Sequence, residues 1–392
     1  MGYGGHMYKS LQIENFRGLR HLDVPRLAPV TILTGRNNVG KTTVLESLFL
    51  HAGGPRAAQL LLTLLRPYRQ PGVAPNIEFS RYATPWETAF YDRDPSKRIR
   101  LIGQIDRHKI TIELSIPREN LPSHIPSGLR SGEATSATTF ASVPAFSYEM
   151  RILIDDKSIL PDELKHREYT QSVSAQIGQT FFGASGLQQI AGVNFDLKPE
   201  EDSDALVLSN FISPQGRSSS VELAQRYTNL RLRKREGGFL NAMRAIEPAI
   251  DTIEVLFSGT PALYVSLQGG PLLPLSAMGE GMISVANYAA AIFDTDGGLI
   301  LIDEVENGIH YTALERLWRQ IGQAVKDTGT QVVASTHSYE CVRAAYQAFQ
   351  GDPDTLQLVR LQQGDDAPAA VAAVDYDLET LEGALDMSLD LR

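Results

Sequence analysis

The chain has 392 residues, of which 43% are hydrophobic, so it holds enough apolar side chains for one large domain or two modest ones. Its formal net charge of -10 argues against a surface that coats nucleic acid indiscriminately, and its single cysteine, Cys341, excludes a disulfide framework and fits a reducing cytoplasm. Its apolar runs fall short of the roughly 20 residues that cross a bilayer, so we expect a cytoplasmic protein that does not enter the membrane.

The N-terminal part of the chain predicts two strands after a short leader. Residues 1–7, MGYGGHM, are interpreted as a cloning remnant because a sensible start follows at Met7. Polar and apolar residues then alternate from Tyr8 to Phe16, which predicts a half-buried strand. A turn at Arg17-Gly18 leads to a second strand around Leu22–Leu27.

A strand, a glycine-rich loop and a helix follow. The run Val30–Leu33 is short, apolar and rich in β-branched residues, which predicts a buried strand. The spacing of apolar residues from Lys41 to about His51 predicts a helix with one buried face. Leucines from Ala58 to Leu65 predict a further helix.

The next part of the chain has the pattern of antiparallel strands. Apolar and polar residues alternate around Arg98–Ile116 and again over Phe146–Ile154. The segment Pro122–Val143 between them is rich in Ser, Thr, Gly and Pro, which predicts a loop.

The middle of the chain changes to helical periodicity. Residues Ser219–Ile250 predict helix with a break at Gly237-Gly238, and two strands follow at Thr252–Phe257 and Ala262–Leu267. The run Arg231–Arg235 is basic and has two interpretations, a solvated helix face or a contact with the phosphate backbone of DNA.

The C-terminal part alternates helices with buried strands. A helix is predicted near Met282–Phe293, the strand Leu299–Ile302 follows, then a helix over Tyr311–Lys326 and another strand over Gln331–Ala334. Strands that form continuous apolar runs between helices indicate a mostly parallel sheet covered on both faces. The predicted fold class is therefore α/β.

The stretch GRNNVGKT predicts a phosphate-binding loop. It has the pattern Gly, four residues, Gly-Lys and Ser/Thr, and it lies between a predicted buried strand and a predicted helix. Glycines let backbone amides close around an anion, Lys41 places a cation on the outer phosphates, and Thr42 offers a hydroxyl to Mg²⁺. The predicted nucleotide-binding residues of this loop are Gly35, Arg36, Asn37, Asn38, Gly40, Lys41, Thr42 and Thr43.

Two strand ends supply the remaining predicted chemistry. In LILIDEVENGIH, Asp303 follows four apolar residues and is predicted to hold Mg²⁺ at the end of the strand beside the phosphate loop. Glu304 is predicted to orient or deprotonate the attacking water. His337 follows the strand QVVAST, at the same edge of the sheet, and is predicted to contact the terminal phosphate and sense hydrolysis.

In this order, GRNNVGKT, PLSAMGEGM, LILIDEVENGIH and VVASTHS resemble the motifs of the ABC-type ATPase head shared by SMC proteins, RecF and the OLD (overcoming-lysogenisation-defect) ATPases. IENFRGL, NFISPQGRSSSVELAQRY and STHSYEC look most like OLD ATPases. The resemblance implies an ATP-binding head with a mostly parallel core sheet, an antiparallel β subdomain and a helical insertion. The implied parts are an N-terminal lobe at 8–160, a helical lobe at 161–250 and a C-terminal lobe at 251–392.

The same resemblance assigns roles to further residues. Asp303 and Glu304 would be the Walker B acid and the catalytic base, Asn307 to His310 the D-loop, and His337 the switch histidine. Two heads would dimerise with ATP, so that the signature loop of one subunit closes the nucleotide site of the other. The residues implied in that loop are Ser276, Gly279 and Gly281.

Three features depart from the family pattern. The signature loop usually reads Ser-Gly-Gly-Gln, whereas this chain has Leu275-Ser276-Ala277-Met278-Gly279-Glu280-Gly281. The glutamine of the Q-loop is left unassigned. OLD proteins also resemble a fusion of this head with a TOPRIM nuclease, but the acids Asp375, Asp377 and Glu379 lie in a short tail that we interpret as an acidic closing helix rather than a metal site.

These observations predict an ATPase that uses ATP and Mg²⁺ and works as a dimer or higher oligomer. The role implied by the family is the sensor or scaffold of a prokaryotic anti-phage defence system, acting with a separate effector such as a TOPRIM or HNH nuclease. The alternatives are a RecF-like DNA-repair ATPase that binds duplex DNA, a transporter's nucleotide-binding subunit, and a nuclease in its own right.

Overall fold

The computed structural model describes residues 6–57, 60, 61, 64, 88–115, 205–214, 219–363 and 370–386, together with the strands between residues 146 and 197. The predicted loop Pro122–Val143 and most of the predicted helix Ala58–Leu65 lie outside the described residues. Within the described part, every helix is too short or too polar to span a bilayer.

The structure gives complete bounds for eighteen strands, seven α-helices and three 3₁₀ turns. The strands are β1 (Tyr8–Phe16), β2 (Leu19–Val24), β3 (Val30–Thr34), β4 (Ile99–Ile105), β5 (His108–Ser115), β6 (Phe146–Ile154), β7 (Tyr169–Ile177), β8 (Phe181–Gly183), β9 (Gly186–Gln188), β10 (Val193–Leu197), β11 (Ser209–Ile212), β12 (Ile250–Ser258), β13 (Thr260–Leu267), β14 (Leu273–Pro274), β15 (Leu299–Ile302), β16 (Gln331–Ser335), β17 (Leu356–Gln363) and β18 (Val371–Tyr376). The α-helices are α1 (Lys41–Gly53), α2 (Ser220–Leu232), α3 (Glu236–Ile246), α4 (Glu280–Thr295), α5 (Tyr311–Thr328), α6 (Tyr339–Phe349) and α7 (Leu378–Asp386). The 3₁₀ turns are Gly54–Arg56, Tyr91–Arg93 and Leu275–Met278.

A six-stranded sheet forms the centre of the fold, in the order β11-β15-β16-β3-β17-β18. The first five strands are parallel, and β18 pairs antiparallel with β17 at one edge. A seven-stranded antiparallel sheet has the order β10-β7-β6-β5-β4-β1-β2, and smaller sheets pair β12-β13-β14 and β8-β9. The predicted fold class, an α/β ABC-type P-loop ATPase head with a mostly parallel core sheet and an antiparallel β subdomain, is confirmed by this arrangement.

The parallel sheet separates two hydrophobic cores. Successive side chains of a strand point to opposite faces, so in β15 Leu299 and Leu301 enter one core while Ile300 and Ile302 enter the other. One core holds α1 with β1, β2, β4 and β5 of the antiparallel sheet, and the other holds α2 to α7 with β12 and β13. This two-sided burial is why the predicted strands are unbroken apolar runs.

The order of the central strands corrects one prediction. The sequence motifs predict Leu299–Ile302 beside the phosphate-loop strand β3, but β16 lies between β15 and β3. The strand that ends before His337 therefore occupies the position between the two nucleotide motifs. An apolar run shows that a strand is buried, but it carries no information about which buried strand is its neighbour.

The predicted helical break is also displaced. The chain leaves the helix at residues 233–235, where Lys234 has a φ of 57°, whereas Gly237 and Gly238 lie inside α3. A Cβ on Gly238 would lie 2.5 Å from the Phe293 ring of α4. Gly238 therefore lets α3 and α4 pack closely rather than ending a helix.

Two segments hold strands that the sequence pattern does not predict. Residues 161–250, predicted as a helical lobe, carry β7 to β11 before helices begin at Ser220. The tail after His337, predicted mainly as a closing helix, also contributes β17 to the central sheet, where β17 pairs directly with β3. Only α7 matches that acidic helix, and Asp377 caps it by accepting a hydrogen bond from the Thr380 backbone N–H at 2.9 Å.

Gln331, at the start of β16, joins the central sheet to the antiparallel sheet. Its side chain is 1% exposed, and its Oε1 accepts a hydrogen bond from the Tyr8 backbone N–H at 2.8 Å. Its Nε2 donates to the carbonyl oxygens of Tyr8 and Ala28, both at 2.9 Å. One amide thus satisfies three buried backbone groups that come from segments more than 300 residues away.

We predict that Gln331→Leu destabilises the protein by roughly 2–4 kcal/mol, because leucine leaves the three buried backbone groups without a partner. Gln323→Leu, on the exposed face of α5, is the matched control and should change stability by about 0.5 kcal/mol or less. Urea denaturation of both variants measures the difference. Equal stabilities for the two variants would show that Gln331 does not link the sheets energetically.

Candidate functional site

The loop between β3 and α1 has a backbone shape that only its glycines allow. Gly35 and Gly40 have φ values of 136° and 108°, in a region that residues with a side chain rarely adopt. A Cβ on Gly35 would also lie 2.3 Å from the carbonyl oxygen of Leu361 in β17. The neighbouring strand and the loop therefore both require glycine at this position.

Lys41 lies at the centre of this loop. Its side chain is buried, and Nζ donates hydrogen bonds to the carbonyl oxygens of Gly35 at 2.7 Å and Arg36 at 3.1 Å. Burial lowers the pKa of Lys41, while the nearby carboxylates of Asp303, Glu306 and Glu304 act in the opposite direction. The loop thus holds a cation at its centre, as a site for the outer phosphates of a nucleotide requires.

The other predicted loop residues surround this cation. Arg36, Asn37 and Asn38 are exposed on the outer turn of the loop, where Asn38 has a left-handed φ of 63°. Thr42 and Thr43 follow Lys41 in the first turn of α1, and the backbone N–H groups at this end of a helix favour anions.

A chain of hydrogen bonds joins the loop to two strand ends. Thr42 Oγ1 donates to Asp303 Oδ2 at 2.9 Å, and Ser335 Oγ donates to Asp303 Oδ1 at 2.5 Å. The Glu304 backbone N–H donates to the same Ser335 oxygen at 2.9 Å. The carboxylate of Asp303 is therefore held on both oxygens by hydroxyl groups from the two neighbouring motifs.

The hydroxyl of Thr42 and the carboxylate of Asp303 fit a magnesium ion. Both are hard oxygen ligands, and they lie next to each other at the opening of the loop. Mg²⁺ commonly takes one or two such protein ligands and completes its coordination with water and substrate phosphates. The two residues predicted as metal ligands are thus brought together, as the prediction requires.

Glu304 leaves β15 in an uncommon backbone conformation. Its φ is 53°, in the left-handed region that costs a residue with a side chain energy. The hydrogen bond from its N–H to Ser335 holds this conformation. The Glu304 carboxylate acts electrostatically on Lys41, and Glu304 lines the same pocket as Asp303.

His337 follows the end of β16 and contacts a residue outside the predicted site. Its backbone N–H donates to Glu306 Oε1 at 3.1 Å, and its ring Nδ1 lies 3.3 Å from the same oxygen. The imidazole is 51% exposed, so its other nitrogen remains accessible. Glu306 is the third acid of the stretch DEVEN, which begins at Asp303. The only feature of the sequence that points to Glu306 is its position three residues after Asp303.

The predicted signature loop includes the 3₁₀ turn Leu275–Met278 and the start of α4. Ser276 and Gly279 are exposed in and after the 3₁₀ turn before α4, and Gly279 has a φ of 89°. Gly281 packs against the predicted D-loop, where an added Cβ would lie 2.6 Å from the Gly308 carbonyl oxygen. In the described part of the chain, no hydrogen bond joins these three residues to the phosphate loop.

A small pocket lies beside Asp303 and Glu304, between the end of β11, α4 and Asn307. Its lining residues are Ile212, Ser213, Pro214, Ser284, Asn287, Tyr288, Asp303, Glu304 and Asn307. Among the described residues no donor reaches the buried Oδ1 of Asn287, which makes the pocket a suitable place for an ordered water molecule. Sequence reasoning missed Asn287 because an asparagine within an apolar helix has no motif of its own.

The basic run is partly neutralised by acids. Arg235 forms an ion pair with Asp296 at 2.8 Å, and Arg233 lies 3.6 Å from Asp294 and donates to its carbonyl oxygen. Both acids lie at or just after the C-terminal end of α4, so these contacts hold the turn after α2 against that helix. Two of the four basic side chains in Arg231–Arg235 are thus paired within the chain, and both interpretations of the run stay predictions.

The turn of the IENFRGL stretch contributes a buried ion pair to the first helix. Arg17 Nη2 donates to Glu46 Oε1 at 2.8 Å, and Arg17 Nε lies 2.5 Å from Oε2. Burial raises the pKa of Glu46 to about 7, although Arg17 lowers it, and Asp303 adds a smaller upward contribution. The desolvation of the carboxylate thus outweighs its pairing with Arg17.

Across the described ranges, no three His, Cys, Asp or Glu side chains converge on a further metal site. The tail acids Asp375 and Asp377 lie at the end of β18 and at the cap of α7.

Two protein-family models match consecutive parts of the chain. One, described as an AAA ATPase domain, matches residues 7–171. The other, described as an AAA domain, putative AbiEii toxin, type IV TA system, matches residues 179–343.

Two relatives have names that bear on activity. An ATP/GTP phosphatase of Helicobacter pylori is 22% identical over 354 residues, which cover 86% of this chain and 86% of that protein. An OLD nuclease of Thermus scotoductus is 28% identical over 153 residues, which cover 31% of this chain and 28% of that protein.

Solved SMC heads are similar at low sequence identity. A head bound to the C-terminal winged-helix domain of ScpA has a TM-score of 0.48 and 12% identity, covering 96% of this chain and 99% of that one. The SMC head of Thermotoga maritima has a TM-score of 0.43 and 13% identity, covering 94% and 98%. Because both TM-scores are below 0.5, we base the fold assignment on the sheet order of this chain and not on these similarities.

We predict that stability relative to a Glu46→Gln variant falls as pH rises from about 5 to about 7. The folded-state pKa of Glu46, about 7, exceeds its ordinary value of 4.5, so the folded state binds an extra proton within that range. The extra stability from the protonated carboxyl is complete below the ordinary pKa. It is lost as pH rises through the pKa of the folded state, and the total loss is on the order of 3 kcal/mol.

Urea denaturation of both proteins at about pH 5, 6, 7 and 8 measures this difference. The amide of the Glu46→Gln variant does not titrate, so the contributions of all other groups cancel in the comparison. A difference that stays constant, or that grows in favour of the native protein as pH rises, would show that pairing with Arg17 outweighs burial.

Proposed function

We propose that this chain, an OLD-like and SMC-like ABC-type ATPase, hydrolyses ATP with Mg²⁺ and uses the reaction to control a separate effector protein. The two AAA domain matches and the phosphatase relative support nucleotide hydrolysis. The observation that carries the proposal is the chain of hydrogen bonds from Thr42 through Asp303 and Ser335 to Glu304, at the mouth of the loop that holds Lys41.

In the proposed reaction the groups of the site have separate roles. The loop amides and Lys41 bind the outer phosphates, and Glu304 accepts a proton from the water that attacks the γ-phosphate in line. His337 contacts the terminal phosphate region and responds to its loss. Thr42 and Asp303 would hold the magnesium ion, which supplies positive charge to the phosphates when bound.

The exposed signature loop supports dimerisation of two heads. Ser276 and Gly279 are exposed, so they are accessible to a nucleotide bound by a second copy of the chain. Gly281 links that loop to the D-loop through its contact with Gly308, which gives the interface a route to the catalytic acids. The dimer or higher oligomer, formed with ATP, is part of the proposal.

The biological role that we propose is the sensor or scaffold of a prokaryotic anti-phage defence system in the cytoplasm. The family description that includes a putative AbiEii toxin and the match to an OLD nuclease support it. As part of this proposal, the effector chemistry, such as that of a TOPRIM or HNH nuclease, belongs to a separate partner protein.

A RecF-like ATPase that binds duplex DNA is the second candidate. The exposed Arg231 and Lys234 favour it, since they project from the helical region without the acidic partners of Arg233 and Arg235 among the described residues. Phosphate contacts of this kind give affinity that falls with salt and carries little sequence preference.

Affinity purification of the Glu304→Gln protein from its host with ATP, followed by mass spectrometry and light scattering, separates the two candidates. A stoichiometric nuclease or toxin supports the effector model. Recovery of duplex DNA alone, released by salt, would overturn it in favour of the repair ATPase.

We predict that Lys41→Ala abolishes ATP binding measured by calorimetry, because the loop loses the cation that faces the outer phosphates. Lys109→Ala, an exposed lysine on β5, is the control and should bind normally. GTP titrated in the same calorimetric experiment tests whether the site prefers adenine or guanine nucleotides. Unchanged ATP affinity in Lys41→Ala would contradict the assignment of the loop.

We predict that Glu304→Gln binds ATP but hydrolyses it at least about 100-fold more slowly, because an amide cannot accept the proton of the attacking water. Glu315→Gln, on the exposed face of α5, should keep normal turnover. Steady-state phosphate release measures both. Near-normal turnover in Glu304→Gln would show that Glu304 is not the general base.

A further inference from the structure

Asn287 of α4 carries a buried amide to which the proposed reaction gives no role. The residue is 3% exposed, and its Nδ2 donates a hydrogen bond to the Ile283 carbonyl oxygen at 2.8 Å. Because only the nitrogen of an amide can donate, this bond fixes the orientation of the amide and directs Oδ1 away from that carbonyl. No donor among the described residues reaches Oδ1. A buried acceptor without a donor is costly, so Asn287 requires a donor at this oxygen.

The face of α4 that carries Asn287 lies against the turn that follows β15. Ser284 Oγ donates to the Asn307 carbonyl oxygen, and the Tyr288 hydroxyl donates to the Val305 carbonyl oxygen, both at 3.2 Å. Residues three or four positions apart share one face of a helix, so Asn287 lies on the same face as Ser284. Asn287 is thus flanked along α4 by two side chains that hold this turn in place.

The pocket beside the two acids brings Asn287 and Glu304 together, since both residues line it. The Glu304 carboxylate is a second acceptor that has no hydrogen bond within the described part of the chain. Asp303 differs, because its two oxygens already accept hydrogen bonds from Thr42 and Ser335. An amide oxygen and a carboxylate cannot donate to each other, so a molecule with two donor hydrogens is needed to join them.

Water has two donor hydrogens and is small enough for this pocket. We infer that Asn287 is a positioning residue: its Oδ1 holds a water molecule in the pocket, and this water donates its second hydrogen to one carboxylate oxygen of Glu304. The inference rests on the proposed hydrolysis. The other Glu304 oxygen accepts the proton of the attacking water, while the pocket water keeps both of its own. A carboxylate held at one oxygen presents the other in a constant direction, which favours proton transfer.

The water site is tested first in the native protein without nucleotide. A crystal structure that resolves ordered water should show a molecule within about 3.2 Å of both Asn287 Oδ1 and a Glu304 carboxylate oxygen. The crystal structure of Asn287→Leu should lack this water. A protein donor bound to Asn287 Oδ1, or a pocket water that does not reach the Glu304 carboxylate, would overturn the inference.

Steady-state kinetics test the positioning role. Asn287→Leu should lower kcat at least about 10-fold with KM within about twofold, because the direction of the base is lost while the groups that bind ATP are unchanged. In a Glu304→Gln background the same substitution should cost no further activity, since Asn287 acts through Glu304. Normal kcat in Asn287→Leu, or an equal loss in both backgrounds, would contradict the positioning role.

Two controls separate this role from loss of folding and from failure of the proposed function. Gln323→Leu makes the same amide-to-leucine change on the exposed face of α5 and should keep normal kcat. Thermal unfolding of both variants detects a folding defect, and the crystal structure of the native protein decides the water site even if Asn287→Leu does not fold. If the native protein does not hydrolyse ATP, the proposed function fails, whereas the crystal structure still supports or overturns the water site.

Discussion

The site depends on one carboxylate, that of Asp303, which accepts hydrogen bonds from the first helical turn and from the strand between the two nucleotide motifs. Both contacts exist only because β3, β16 and β15 run parallel and end at the same edge. Both faces of these strands are buried, and this fixes the register of each strand and so the position of its end. A shift of one residue along a strand would exchange the side chains that face the two cores. The chemistry is thus supported by the packing of residues that never touch a nucleotide.

Much of this arrangement could be predicted from the sequence. The phosphate loop, the acids Asp303 and Glu304, and His337 each follow a short apolar run, and parallel strands bring their ends together. The contacts confirm that Thr42 and Asp303 meet. These residues were predictable because the motif, the strand and the helix are all encoded within about ten neighbouring positions.

The features that were missed depend on residues distant in sequence. Ser335 and Glu306 acquire their roles from partners about thirty residues away, so neither has a local signature. The same holds for the order of the central strands and for Gly238, whose purpose is the close approach of Phe293 rather than a turn. Local pattern identifies an element, whereas its neighbours are decided by the packing of the whole chain.

The pairing of β17 with β3 has a consequence for the synthesis of the protein. Gly35 in the phosphate loop packs against the Leu361 carbonyl oxygen, and Gln331 holds Tyr8 at the start of β1. On a ribosome that adds roughly 5–20 residues per second, the loop is made many seconds before the strand that supports it. The nascent chain therefore carries an incomplete nucleotide site with an unpaired strand edge, and it becomes competent only when the final part of the sheet has emerged.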